Sequence, residues 1–150
     1  MNATPRIASY CIEDLTVGQS ASYARTITEA DIAQFGAVSG DLNPLHFDEN
    51  YAKGTIFRGR IAHGMLSVSF LSTVLGTMLP GAGSIFVGGS VSFKSPVRIG
   101  DTVTATCRVH QIDTVKRRVT FECICKVGDT AVIEGEAVVK VPTRAVQQRA

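Results

Sequence analysis

The chain has 150 residues, 45% of them apolar, which is the size of one domain and enough to bury a core of its own. Its 15 basic and 13 acidic side chains are interspersed and leave a formal net charge of +2, so no field recruits nucleic acid or an anionic membrane; an anionic partner has to be held locally. Cys11, Cys107, Cys123 and Cys125 lack the paired C-x-x-C spacing of a zinc or redox site and read as reduced core thiols. The opening Met1-Asn2-Ala3-Thr4-Pro5-Arg6 contains no apolar run that would serve as a signal peptide, and a cytoplasmic protein is expected.

In chain order, a first strand is expected around residues 21–27. Thr28-Glu29-Ala30-Asp31 then has the form of a capping box, with Asp31 in the first turn of a helix. Ile32, Phe35 and Val38 share one face of that helix, and Gly40 lies where a helix commonly stops in a left-handed conformation. Residues 41–46 are expected to form a loop, because Pro44 has no amide hydrogen and biases Asn43 toward an extended backbone. Asp48 can cap a short helical turn through Ala52, followed by a glycine-punctuated connection over residues 54–60.

No Asp, Glu, Lys or Arg occurs between Ile61 and Phe93, a stretch long enough to resemble a membrane span. His63, Ser67, Ser69, Ser72, Thr73 and Thr77 scatter polar groups through its first half, and Pro80-Gly81 and Gly88-Gly89 break its second half. The reading is therefore a buried helix over residues 64–79, apolar on nearly every side, followed by a strand. Four period-two patterns complete the chain: Val87/Gly89/Val91/Phe93, Val103/Ala105/Cys107/Val109, Val119/Phe121/Cys123/Cys125 and Ile133/Gly135/Ala137/Val139/Val141. Turns at Gly100-Asp101 and Val127-Gly128-Asp129 favour antiparallel pairing. The expected fold is α+β, one antiparallel sheet curled around one long apolar helix, with residues 143–150 as a frayed tail.

The chemistry concentrates in the loop. Asp41 and His46 are five residues apart on a proline-stiffened segment, and a carboxylate beside an imidazole supplies a base and an acid near neutral pH. Spacing alone favours the plainer reading, in which Asp41 caps a turn and His46 packs under the loop.

The run Phe35-Gly36-Ala37-Val38-Ser39-Gly40-Asp41-Leu42-Asn43-Pro44-Leu45-His46, with Ala52 six residues on, resembles the signature of the MaoC-like (R)-specific enoyl-CoA hydratases. Arg60-Ile61-Ala62-His63-Gly64-Met65 and Phe93-Lys94-Ser95-Pro96-Val97-Arg98-Ile99-Gly100-Asp101 resemble that family too, so the similarity spans most of residues 28–141. The resemblance implies a single hot-dog hydratase domain over residues 1–150. It also implies that Asp41 and His46 jointly hold a water which adds to a trans-2-enoyl-CoA, giving an (R)-3-hydroxyacyl-CoA. It places the thioester-binding amide at Gly64, a hydrogen bond from Ser72 to the aspartate, and a homodimer with the site near the subunit contact.

Physical chemistry adds to this. Attack on the β carbon requires a group that takes a proton from water, and a second transfer must reach the α carbon; Asp41 is assigned as base and His46 as acid, a division that spacing leaves open. Gly64 begins the long helix, where unpaired amide hydrogens and the dipole favour the enolate oxygen. Asn43 pins the loop, since an amide does not exchange protons at useful pH. His63 reads as structural. No H-E-x-x-H cluster suggests a metal, and the reaction requires no cofactor. Lys53, Arg58, Arg60, Lys94 and Arg98 are candidates to meet the phosphates of coenzyme A, although each taken singly reads first as part of a mixed solvated surface. The alternatives are a (3R)-hydroxyacyl dehydratase acting on acyl carrier protein, a hot-dog thioesterase, and a non-catalytic acyl-thioester binding module.

Overall fold

The computed structural model of the protein describes residues 6–147. The expectation placed on residues 1–5 and the last three residues of the tail lie outside that range.

Five strands form one antiparallel sheet: β1 (Ser20–Thr26), β2 (Ile85–Phe93), β3 (Thr102–Asp113), β4 (Arg118–Val127) and β5 (Thr130–Lys140), in the order β1-β3-β4-β5-β2. The two-residue turn at Gly128 and the short reversal after Asp113 dictate that β3, β4 and β5 are antiparallel neighbours. The helices are α1 (Glu29–Ser39), α2 (Pro44–Phe47), α3 (Glu49–Lys53), α4 (Gly64–Thr73), which runs on into a π-helical turn at Val74–Met78, and α5 (Arg144–Gln147).

The alternating positions of β3, β4 and β5 bury one face against α4, as their periodicity demands. Val103, Ala105, Cys107 and Val109 pack beside Val119, Phe121, Cys123 and Cys125, and Leu66, Phe70, Leu71, Val74 and Leu75 descend onto them from the helix. All four cysteines are free and buried. Among the described residues no helix is long and apolar enough to cross a membrane.

Four expectations change. First, α4 is not enclosed on every side: Met65, Ser72 and Gly76 are exposed, a stripe of one helical face that the chain's own sheet does not reach. Second, β2 buries little of its alternating face, since it is an edge strand paired only with β5 and its register slips between Phe86 and Gly88. Third, Val38 is 84% exposed although Ile32 on the same face is fully buried, because the end of α1 projects past the core. Finally, Arg144–Gln147 is a helical turn rather than frayed: Gln147 accepts from the Cys11 thiol at 2.8 Å, and Arg144 pairs with Asp14.

Candidate active site

The capping box at the start of α1 forms as its residue types require. Thr28 accepts from the Asp31 amide and Asp31 returns a bond to the Thr28 amide. Gly40 ends the helix at φ 77°, a conformation a side chain would oppose. The chain then turns sharply: the Ser39 hydroxyl donates to the Phe35 carbonyl at 2.6 Å and accepts from the Asp41 amide at 3.2 Å.

Asp41 does cap a turn, its Oδ1 accepting from the Asn43 amide at 3.2 Å. Asn43 in turn caps α2, its Oδ1 accepting from the Leu45 amide at 3.0 Å, with Pro44 as the first helical residue. The expected loop over residues 41–46 thus ends in a helical turn. Proline suits that position, because its missing N–H is one that the first turn leaves unpaired in any case.

His46 sits in α2, 7% exposed. Its Nδ1 lies 2.8 Å from the Ile61 carbonyl, and a carbonyl only accepts, so Nδ1 carries the hydrogen and Nε2 holds the lone pair of the neutral ring. The backbone around it is clamped by Arg60, whose Nε donates to the His46 carbonyl at 2.7 Å while its two terminal nitrogens grip Glu29 at 3.1 and 2.6 Å. That guanidinium holds the Glu29 carboxyl below the usual carboxylate range.

His63, which reads as structural from its spacing, bridges Asp41 and His46. Its Nε2 donates to the Asp41 carbonyl at 2.9 Å, and its ring stacks on His46 with centroids 3.9 Å apart and planes 31° apart. A carboxylate oxygen of Asp41 and one ring nitrogen each of His46 and His63 lie within 4.8 Å of one another. Sequence spacing shows no metal motif, yet the fold assembles this trio. The rings are tilted by 31°, and with His46 Nδ1 and His63 Nε2 already donating to backbone carbonyls each ring has one nitrogen left to offer.

A cavity of about 390 Å³ opens beside the start of α4, with Asp41, His63, Gly64, Ser67, Phe93 and Ile133 in its wall. It brings Asp41 and Gly64 to one surface; His46 is not part of that wall. His63 is the N-cap of α4 and makes no side-chain capping bond, so no capping side chain competes for the first-turn amides. A Cβ on Gly64 would fall 2.5 Å from the Phe93 ring, so the helix start approaches β2 closely. Ser72 is exposed on the open stripe of α4, outside the cavity.

The cations near the cavity are largely committed. Besides Arg60, Arg98 donates to the Arg60 and Phe57 carbonyls at 3.3 and 2.6 Å, and Lys94 lies 3.6 Å from Glu134. Lys53 and Arg58 make no ion pair among the described residues, and Arg58 takes a left-handed backbone at φ 54°.

Residues 15–143 match the MaoC like domain. The chain belongs to the MaoC-like family. It is 55% identical over 144 residues, 96% of its length and 99% of the relative's, to an (R)-specific enoyl-CoA hydratase of Rhodospirillum rubrum. It is 40% identical to a 3-hydroxybutyryl-CoA dehydratase of Methylorubrum extorquens, covering 93% of this chain and 89% of that one. Among solved structures, an (R)-hydratase from A. caviae involved in PHA biosynthesis superposes with a TM-score of 0.83 at 44% identity, over 87% of this chain and 99% of that one. With these relatives the α+β architecture is the hot-dog fold, and the MaoC-like chain has hydratases and dehydratases as its near kin.

Proposed function

We propose that this MaoC-like protein is a hydro-lyase, an (R)-specific enoyl-CoA hydratase that adds water reversibly to trans-2-enoyl-CoA to give (R)-3-hydroxyacyl-CoA. The observation that carries the reading to this chain's own residues is the separation of Asp41 and His46. Ionised Asp41 and neutral His46 are both acceptors, and one water with 2.8 Å hydrogen bonds spans about 4.5 Å between two acceptors. A carboxylate oxygen of Asp41 and a ring nitrogen of His46 lie within 4.8 Å of each other, so a single water reaches both and keeps an oxygen lone pair for the β carbon.

The step balances without an outside acid. The water oxygen bonds to the β carbon and the carbon–carbon π pair moves onto the thioester oxygen as an enolate. The proton released by the water passes to the acid/base pair and is returned to the α carbon as the enolate collapses. The lone pair on His46 Nε2 makes the neutral ring an acceptor first, so His46 acts as acid only after it has received a proton. The Gly64 amide at the uncapped start of α4 is the donor for the enolate oxygen, and Asn43 holds the loop through its cap on α2.

A homodimer is part of the same proposal. Met65, Ser72 and Gly76 form an open stripe, Met65 shares the cavity wall with Phe93 of the exposed β2 edge, and a second copy would cover both surfaces. Within one chain Ser72 lies away from Asp41, so its support of the aspartate requires such a copy. A cytoplasmic setting suits four free thiols, and supply of polyester precursors is the proposed pathway.

Following the enone absorbance of crotonyl-CoA, with free thiol and product configuration measured in parallel, tests the reading. Bleaching with an (R) product and no thiol release is expected. An (S) product, thiol release, or no turnover of short and medium enoyl-CoA would overturn it.

A further inference from the structure

The three parts of the proposed chemistry come from separate pieces of chain: Asp41 from the turn after α1, His46 from α2, and the Gly64 amide from the start of α4. His63 touches all three. Its side chain donates to the Asp41 carbonyl at 2.9 Å, its ring lies 3.9 Å from that of His46, and its own backbone leads directly into Gly64. We infer that His63 is a positioning residue, which sets the spacing between the Asp41/His46 pair and the Gly64 amide. This inference rests on the hydratase reading above.

Packing alone does not explain a histidine here. The ring is 2% exposed and, on the sides away from His46 and the Asp41 carbonyl, meets Phe35 at 4.9 Å and Phe47 at 5.7 Å, apolar neighbours that phenylalanine would suit as well. Moreover, Nδ1 is buried without any hydrogen-bond partner, a cost that an apolar ring would avoid. Ser67 Oγ, four residues further along the same helix, is the other such atom among the described side chains. Ser69, Thr73 and Thr77 on the same helix and its extension all bond their hydroxyls to backbone carbonyls, so partners for hydroxyls are not scarce there. The fold therefore keeps an imperfectly satisfied imidazole where only its Nε2–H has a partner, and that partner is the backbone of Asp41.

The bond and the stack do different things. The Nε2–H bond fixes where the Asp41 backbone, and hence its carboxylate, stands relative to the start of α4. The stack sets the plane of the His46 ring, whose Nδ1–H bond to Ile61 aims Nε2. Displacement of a reacting group by about 1 Å costs on the order of 10²-fold in rate even when the substrate still binds.

The test compares H63F, which keeps the shape and loses the donor, with H63Q, whose amide N–H can still reach the Asp41 carbonyl. For both, kcat and KM for crotonyl-CoA hydration and the melting temperature are measured on the full chain. H63F is expected to melt at or above the wild-type temperature, to lose about 10²-fold in kcat, and to change KM by no more than about threefold. H63Q is expected to recover at least tenfold of that loss in kcat. H63F at full kcat overturns the inference, as does H63Q with no recovery, or a loss of kcat that tracks a loss of melting temperature in both variants. If the wild-type protein itself fails to hydrate an enoyl-CoA, the hydratase reading falls first. Carbon-13 spectra of Asp41 in H63F then decide the positioning separately: unchanged shifts of its backbone carbonyl and side-chain carboxyl overturn it.

Discussion

The Nδ1 of His46 donates to the carbonyl of Ile61, a residue 15 positions further along the chain and the second one before the His63–Gly64 junction. The hydrogen on one ring nitrogen is thereby pinned, and the ring has a single face of chemistry to offer, its Nε2. Replacing His46 by Gln keeps a polar group of similar reach but removes the basic nitrogen; replacing Asp41 by Asn removes the charge. Each is expected to cut hydration of crotonyl-CoA by 10²–10⁴-fold. Circular dichroism and melting temperature close to wild type would show that the loss is chemical. Activity within tenfold of wild type in either variant would remove that residue from the reaction.

Asn43 works through the cap on α2, so its replacement is expected to act on geometry. N43A loses the bond to the Leu45 amide and should destabilise the protein by about 1 kcal/mol and lower kcat, whereas N43S retains a capping oxygen and should restore most of both. Denaturant melts with parallel kinetics check this. Equal kcat for the two variants would mean that the cap does not position the chemistry.

Gly64 faces the Phe93 ring, which is 56% exposed and has room to swing away. G64A is therefore expected to fold, with a raised KM and a fall of roughly tenfold or more in kcat/KM, because the methyl group occupies the approach of the thioester to the amide. Adding F93L relieves the clash with the ring. If the double variant regains full activity, the glycine serves only helix packing.

Acid stability should depend on Asp31. Its carboxyl is held at about 2, below its ordinary 3.8, first by the Arg25 guanidinium and further by bonds at the Thr28 cap. A depressed carboxyl stabilises the fold above its unfolded pKa and loses that contribution as pH falls, here between about 4 and 2. Discounted for the half-exposed Arg25, the contribution is about 1–2 kcal/mol. D31N should be less stable than wild type by that amount at neutral pH, with the gap closing toward pH 2. A constant gap across a pH series of urea melts would assign the effect to the cap alone.

The open stripe of α4 predicts self-association. Sedimentation should give twice the chain mass, and M65E should shift the population toward monomer with a matching loss of activity. A monomeric, fully active wild type would make the stripe irrelevant to the site.

Much of this was legible from the residues, and the gaps have physical causes. Thr28 and Asp31 announced the start of α1 and Gly40 its end because caps and left-handed glycines are local, decided within four residues. The faces of β3, β4 and β5 were equally plain, since alternation and burial coincide in strands that the chain covers itself. In β2 they part: Val87 and Phe93 alternate like core residues, but an edge strand pairs on one side only and their face stays uncovered within one chain. His63 and Arg60 were hidden for a different reason. Their partners are the carbonyls of Asp41 and His46, and a bond to a backbone carbonyl 14 to 22 residues away has no signature in residue type or spacing.

The cysteines of the core have a further consequence. Cys107, Cys123 and Cys125 lie under α4, with the thiols of Cys107 and Cys125 facing the carbonyls of Leu71 and Ser67, and burial pushes Cys125 up to about 12. A thiol held protonated and covered reacts with nothing until the helix lifts from the sheet. The rate at which an alkylating reagent consumes Cys107 and Cys125 therefore times the opening of the central layer in the unaltered protein, and substrate added beforehand would reveal whether occupation of the cavity keeps that layer shut.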